Sequence, residues 1–315
     1  MKVATNIFGS PANTGPGNFG RRLAVALSSL GIDMLPAHAL PNPDVFMGNA
    51  FLDGYRGNAK ATVLRVDGPG IHGDIARVEH AHKTAGVVIY QSEYSRNVLQ
   101  KAHDYTPIKS YVINNGIQLP NVYRDQTDDL NILSICHNWS KERYLHYYHV
   151  VYNNLTYLVE KFPNLKWNIV GKYKPFKAAM SYSSVTHPDL VDKHIRFIEF
   201  TPDLDMHRRS AKICIHIVGG DSCPNSVIES MSYGLPCVVW EDSAGPELID
   251  YDHRVGGAAA GVVIGSYYTR DIIGAIQKIL YAYEYYSQNA RKLAEEKFDI
   301  NVVAQKYAEV FHAAA

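Results

Sequence analysis

The chain has no excess of charge of either sign and no long apolar run. Its 31 Lys and Arg are balanced by 31 Asp and Glu, and no stretch is polybasic, which argues against a non-specific nucleic-acid binder. No segment approaches the roughly 18 consecutive apolar residues of a membrane span. The opening MKVATNIFG is too short and too soon interrupted for a signal peptide. Cysteine is scarce: Cys136, Cys214, Cys223 and Cys237 show no C-x-x-C spacing. Reduced thiols in a cytoplasmic protein are therefore expected, not a disulfide or zinc framework. No metal is expected either. His80, His82 and His103 share no spacing with an acidic partner, and Asp203-Leu204-Asp205 reads as a helix cap after Pro202.

What is present is ordinary globular material, 46% apolar and 20% charged. At 315 residues the chain is longer than a single core usually grows, so two domains are expected. The most informative stretch runs from Ile213 to Ile249. Ile213, Cys214, Ile215, Ile217 and Val218 form an apolar, β-branched run suited to a buried strand. Pro224 suits the start of a helix, whose buried face would carry Val227, Ile228 and Met231. Gly234 and Pro236 end that helix, and Cys237 to Trp240 is a second buried strand. The helix would present the N–H groups of Asn225 and Ser226 at the carboxyl edge of a parallel sheet, where a phosphate could sit. Glu229 falls on the same face one turn later, placed for ribose hydroxyls. Asp221 lies in the preceding loop, within reach of a sugar beyond the diphosphate. The plainer alternative makes Asp221 a helix cap and Glu229 a solvated residue.

Asp221, Pro224, Asn225, Glu229, Met231, Gly234, Pro236, Val238, Val239, Gly245, Glu247, Leu248 and Ile249 together resemble the nucleotide-sugar segment of retaining GT-B glycosyltransferases of the GT4-like group, the glycosyl transferases group 1. Asp221 stands where those proteins usually carry Glu. Further matches extend the resemblance over nearly the whole chain. Gln91 to Leu99 is similar to the family's V-S-E-x-x-R-x-x-L, and Tyr111 to Ile117 to its I-P-N-G-V-D. His137 to Lys172 is similar to its G-R-L-x-x-x-K-G segment with the following helix and strand. The resemblance implies two Rossmann-like domains facing a cleft. It also implies metal-independent transfer of a sugar from a nucleoside-diphosphate sugar to a hydroxyl, with retention and without a cofactor. Lys141 is its first choice for holding the diphosphate and Arg143 its second. Asn138 stands in the same loop, and Phe200 and Thr201 stand where the base is held, with Glu199 in place of a usual Gly. The acceptor would be a carbohydrate, another hydroxyl compound, or one presented at a membrane surface.

At the other end, Lys2 to Phe8 reads as a strand, followed by the loop GSPANTGPGNFG and a helix from Arg21 to Leu30. The resemblance implies that this glycine-rich loop, with Gly15 and Gly17, lies over the donor diphosphate and the acceptor. With Gly20 they also spell G-x-G-x-x-G, and Asp33 could serve as a ribose-binding acid, so an NAD-dependent oxidoreductase is the alternative class. Against it, the strand ends six residues before the first glycine. A catalytically inactive nucleotide-sugar-binding protein is a third class. Asp67 and His72 follow the strand Thr62 to Val66 and are the candidates to face the acceptor, with a simple turn as the alternative. The expected division is 1–125 for the acceptor-side domain, 126–296 for the donor-side domain, and 297–315 for a terminal helix that crosses back to the first domain.

Overall fold

The computed structural model describes residues 1–11, 14–52, 55, 57–66, 75–103, 106–107, 109–125, 129–181, 188–201, 203–252 and 257–315. The chain divides into two compact units, Met1–Leu119 with Glu296–Ala315, and Pro120–Glu295. The first boundary, between Leu119 and Pro120, has a local reason. Ile117 pairs with Phe298 and Ile300 of the first unit, whereas the N–H groups of Arg124 and Asp125 donate to Tyr233 and Arg209 carbonyls of the second.

The first unit contains β1 (Lys2–Thr5), α1 (Gly15–Ser28), β2 (Asp33–Pro36), β3 (Val45–Asn49), β4 (Ala61–Val66), α2 (Ile75–Thr84), β5 (Val87–Tyr90), α3 (Glu93–His103) and β6 (Ser110–Val112). Its six strands pair in the order β2-β1-β3-β4-β5-β6, all parallel. The central strands β3 and β5 are short, buried apolar runs, as expected where helices cover both faces of a parallel sheet. Two short 3₁₀ turns, Ile7–Gly9 and Ala37–Ala39, follow β1 and β2.

Two local expectations are corrected here. The first strand stops at Thr5, because the Thr5 hydroxyl accepts from the Ile7 N–H and turns the chain. The helix expected from Arg21 starts at Gly15. Thr14 caps it by accepting from the Gly17 N–H at 3.4 Å, and Pro16 sits in its first turn. The glycine-rich segment is thus helical. Gly17 is required by packing, since a Cβ there would lie 2.1 Å from the Pro11 carbonyl oxygen. Elsewhere Ser92 caps α3, its hydroxyl accepting from the Ser95 N–H at 2.9 Å.

The second unit contains β7 (Asn131–Asn138), α4 (Lys141–Lys161), β8 (Lys166–Lys172), α5 (Lys174–Ser181), α6 (Pro188–His194), β9 (Ile195–Ile198), α7 (Asp205–Arg209) and β10 (Ile213–His216). It continues through α8 (Asn225–Met231), β11 (Cys237–Trp240), α9 (Gly245–Leu248), β12 (Tyr251–Asp252), β13 (Gly257–Ala258), β14 (Gly261–Ile264), α10 (Thr269–Tyr281) and α11 (Tyr283–Leu293). Its main sheet runs β14-β11-β10-β7-β8-β9, again all parallel, and β12 and β13 form a small antiparallel pair. Trp139, Tyr147 and Trp167 are fully buried in its core.

A π-helical turn at Ala294–Phe298 leads into α12 (Ile300–Ala314), which returns to the first unit. Asp299 caps α12 by accepting from the Asn301 N–H at 2.7 Å. Its buried stripe, Val303, Tyr307, Val310 and Phe311, joins the core built by Phe19, Leu23 and Leu27 of α1, with the Phe19 and Tyr307 rings 5.9 Å apart. The Phe311 side chain is completely buried. Phe311→Ala is expected to cost about 3–5 kcal/mol of stability in chemical denaturation. A loss under about 1 kcal/mol would mean that α12 contributes little to the core.

Candidate functional site

In the sheet of the second unit, strand order reverses between β7 and β10. β8 and β9 extend one way from β7, and β11 and β14 extend the other way from β10. In open parallel sheets such a reversal leaves a crevice outside the carboxyl ends of the two strands. The chain leaving β7 is shaped by Gly171 of β8, at φ +137°, where a Cβ would lie 1.7 Å from the Cys136 carbonyl oxygen. A register shift between Ile135 and Asn138 follows. Trp139 is then pinned, its ring N–H donating to the Val170 carbonyl at 3.0 Å. This anchors the first turn of α4, so that Arg143 points back across the strand end, with Nη1 3.8 Å from the Cys136 sulfur.

β10 ends in His216, the polar residue that closes an apolar strand. The loop beyond it is tied to the loop after β11, since Gly220 N–H donates to the Asp242 carbonyl and Ala244 N–H to the Asp221 carbonyl. Asp221 is not the cap of α8, whose cap position is Pro224. Its Oδ1 instead accepts from the Cys223 N–H at 3.3 Å. Its Oδ2 lies 3.3 Å from His216 Nε2 and 3.9 Å from Arg143 Nη1. On its other side the His216 ring meets the Ser226 hydroxyl, Nδ1 to Oγ 3.0 Å. Ser226, His216, Asp221 and Arg143 therefore form one polar chain across the switch between β10 and β7. Burial alone would raise the Asp221 carboxyl. The His216 contact and charge, the Arg143 guanidinium and the Cys223 N–H outweigh burial and hold its pKa below the ordinary value.

Of the two candidate cations, Arg143 enters this chain and Lys141 does not. Lys141 is exposed at the first position of α4. Glu229 sits on α8 as expected, but its Oε2 is paired with the guanidinium of Arg208, a buried side chain on α7. Arg208 also lies 3.9 Å from Asp205 and 5.9 Å from the Tyr233 ring. Phe200 packs edge-on against His137, with ring centroids 4.9 Å apart. Burial, with Lys172 and Arg143 nearby, lowers the His137 pKa and favours the neutral ring. The Thr201 hydroxyl accepts from the Asp203 N–H, Asn138 is exposed, and Pro224 is buried. Asn225 and Ser226 open α8. Gly15 and Gly17 belong to the first unit, and Asp67 and His72 lie outside the described residues. Among the described residues, no group of three or more His, Cys, Asp or Glu could hold a metal ion.

Sequence reasoning missed His216 and Arg208. His216 carries a signal, a single polar residue ending an apolar strand. Arg208 carries none, because its partner Glu229 lies 21 positions further along the chain.

In the first unit the strand order reverses between β1 and β3. There the Asn6 side chain accepts from the Asn49 N–H at 2.6 Å and donates to the Phe51 carbonyl at 3.2 Å. Arg65, 1% exposed at the end of β4, donates to the side-chain oxygens of Asn49 and Asn115 at 2.6 and 2.7 Å and lies 4.5 Å over the Phe19 ring.

Comparison with known proteins agrees with this architecture. Residues 145–281, from the second turn of α4 to the end of α10, match the family described as glycosyl transferases group 1. No curated protein matches the sequence. The structure is similar to sucrose-phosphate synthase from Thermosynechococcus elongatus, with TM-score 0.76, 14% identity, and 99% of this chain and 98% of that one covered. It is also similar to HepE of Anabaena, solved with UDP-glucose, with TM-score 0.71, 12% identity, and 99% of each chain covered. A glycosyltransferase from Rickettsia africae gives TM-score 0.71 and 13% identity over 99% of this chain and 97% of that one. The chain has the GT-B glycosyltransferase fold, and its segment 145–281 is of the group 1 type.

The depressed Asp221 carboxyl gives a test of the polar chain. A carboxyl lowered in the folded state stabilises the fold above its ordinary value of 3.8 and loses that contribution as pH falls through the lower folded value. The stability difference between the wild type and Asp221→Asn should be constant above pH about 5 and shrink below pH about 4. A difference independent of pH down to 3 would show that Asp221 is not held as described.

Proposed function

We propose that the protein transfers a sugar, with retention, from a nucleoside-diphosphate sugar to an acceptor hydroxyl, and that a UDP-sugar is the donor. The observation that carries this reading is the meeting of Arg143 and Asp221 outside the carboxyl ends of β7 and β10, within the unit whose segment matches group 1. The UDP-glucose complex of HepE supports uridine as the base.

The reaction must stabilise a departing diphosphate. A guanidinium matches that anion geometrically, and Arg143 sits at the switch point with two-fifths of its side chain still exposed. Lys141, two residues earlier, is the second cation. Asp221 stays ionised beside Arg143, one methylene shorter than the Glu of the resembling family, and is the candidate for the hydroxyls of the donor sugar. Glu229, oriented by Arg208, is the candidate for the ribose, with Asn225 and Ser226 on its helix serving the diphosphate. His137, Asn138, Phe200 and Thr201 are the candidates for the base side. The positive charge this scheme needs comes from side chains, and it calls for no metal and no organic cofactor.

Thermal denaturation in the presence of UDP, GDP, ADP and NAD tests this reading, because a ligand of the native state raises the apparent stability. UDP is expected to raise the midpoint and NAD to leave it unchanged; a rise with NAD alone would overturn the assignment. Arg143→Ala should weaken UDP binding by about 10- to 100-fold, the worth of a charge-assisted hydrogen bond or two. Lys141→Ala should weaken it by less than about 3-fold. The reverse ranking would give Lys141 the principal role.

A further inference from the structure

The first unit contains a cavity of about 640 Å³ beyond the carboxyl ends of β1 and β2, a volume suited to a small organic molecule. Its walls come from the turn after β1, with Phe8 and Gly9, and from the turn after β2, with Pro36, Ala37 and Pro41. Tyr55 closes it, held by stacking on Phe46 with ring centroids 4.2 Å apart and planes within 8°. No Lys, Arg, Asp or Glu is among its described lining residues.

Most of its polar side chains are already engaged inside the protein. The Thr5 hydroxyl accepts from the Ile7 N–H, and both ends of the Asn6 amide are used by Asn49 and Phe51. The Tyr55 hydroxyl donates toward the Leu40 and Pro41 carbonyls at 3.2 and 3.3 Å. That leaves the exposed imidazole of His38, which makes no hydrogen bond among the described residues. Such a lining gives little to a phosphate or a carboxylate, whose dehydration it could not offset. It rewards a ligand that buries a flat apolar face against aromatic and proline surfaces and offers one hydroxyl to His38.

We propose that this cavity is the acceptor subsite and that the acceptor is an uncharged hydroxyl compound bearing an apolar ring, seated against Phe8 and Tyr55 with a hydroxyl at His38. The inference rests on the glycosyltransferase reading above and narrows its acceptor to one chemical class. No described Lys or Arg lines the cavity to pair with a phosphorylated or other anionic acceptor, so such acceptors are expected to bind more weakly.

Gly9 provides the test. A Cβ at Gly9 would meet nothing within 4 Å and no positive φ constrains the backbone there, so Gly9→Trp starts from open space at the cavity wall, and its unaltered melting temperature is the check that the fold is kept. The probe is 4-nitrophenyl β-D-glucoside, followed by saturation-transfer NMR, with glucose 6-phosphate as the charged comparison. The wild type should saturate the nitrophenyl protons strongly and glucose 6-phosphate little. Gly9→Trp should weaken the glucoside by at least about ten-fold while keeping the wild-type thermal shift with UDP. His38→Ala should weaken it by about 2- to 10-fold, the worth of one hydrogen bond. Equal glucoside binding by the wild type and Gly9→Trp, no glucoside binding by the wild type, or stronger binding of glucose 6-phosphate would each overturn the proposal. Glucoside binding that Gly9→Trp abolishes, in a wild type with no UDP shift, would overturn the acceptor role and leave a binding pocket without transfer.

Discussion

A strand covered on both faces has no place for a polar side chain except beyond its end. Both main sheets here are parallel and buried between helices, and that constraint sorts the chemistry of the whole molecule. The central strands are rich in Val, Ile and Leu, and the groups able to recognise a ligand collect where the strands stop: His216 at the end of β10, Arg143 beyond β7, Arg65 and Asn49 at the ends of β4 and β3. Buried polar groups in such places must satisfy one another or a ligand. The chain from Ser226 through His216 and Asp221 to Arg143 does the first of these on one side and leaves part of the guanidinium open on the other.

The same constraint explains what could be read from sequence. Short apolar β-branched runs separated by helical periods mark strands of a doubly covered sheet, so the α/β architecture was legible from Ile213 to Trp240 alone. The spacing of Asp221 and Glu229 around Pro224 marked the segment on which the proposed donor side rests. The start of α1 was harder. Its first two turns hold Gly15, Gly17 and Gly20, poor helix formers, and the cap from Thr14 together with close packing against Pro11 decides the matter. A single residue's neighbours cannot show that a glycine is chosen for a backbone two turns away. Side-chain direction was likewise out of reach. Lys141 and Arg143 differ by two positions on one helix, and which of them faces the strand end depends on how Gly171 and Trp139 set the exit from β7.

The dinucleotide-binding alternative loses its footing on a single placement. A ribose-binding acid serves at the carboxyl edge, where the ligand lies. Asp33 instead opens β2, paired in register with Lys2 at the amino edge of the sheet, and its side chain is exposed. The three glycines that suggested the fingerprint lie within a helix that Thr14 has already capped.

The two units also differ in how the chain composes them. The second is one uninterrupted stretch, Pro120–Glu295, whereas the first is assembled from Met1–Leu119 and Glu296–Ala315. During synthesis the second unit has all its residues before α12 has been made, and it can close around its own core while Phe19, Leu23 and Leu27 still lack their partners. Of the two units, the one begun first is thus the last to be completed. Until Tyr307 and Phe311 arrive, the part of the α1 face that they cover has only the rest of the first unit's core beside it, so α12 acts on that unit as a late-fitted seal.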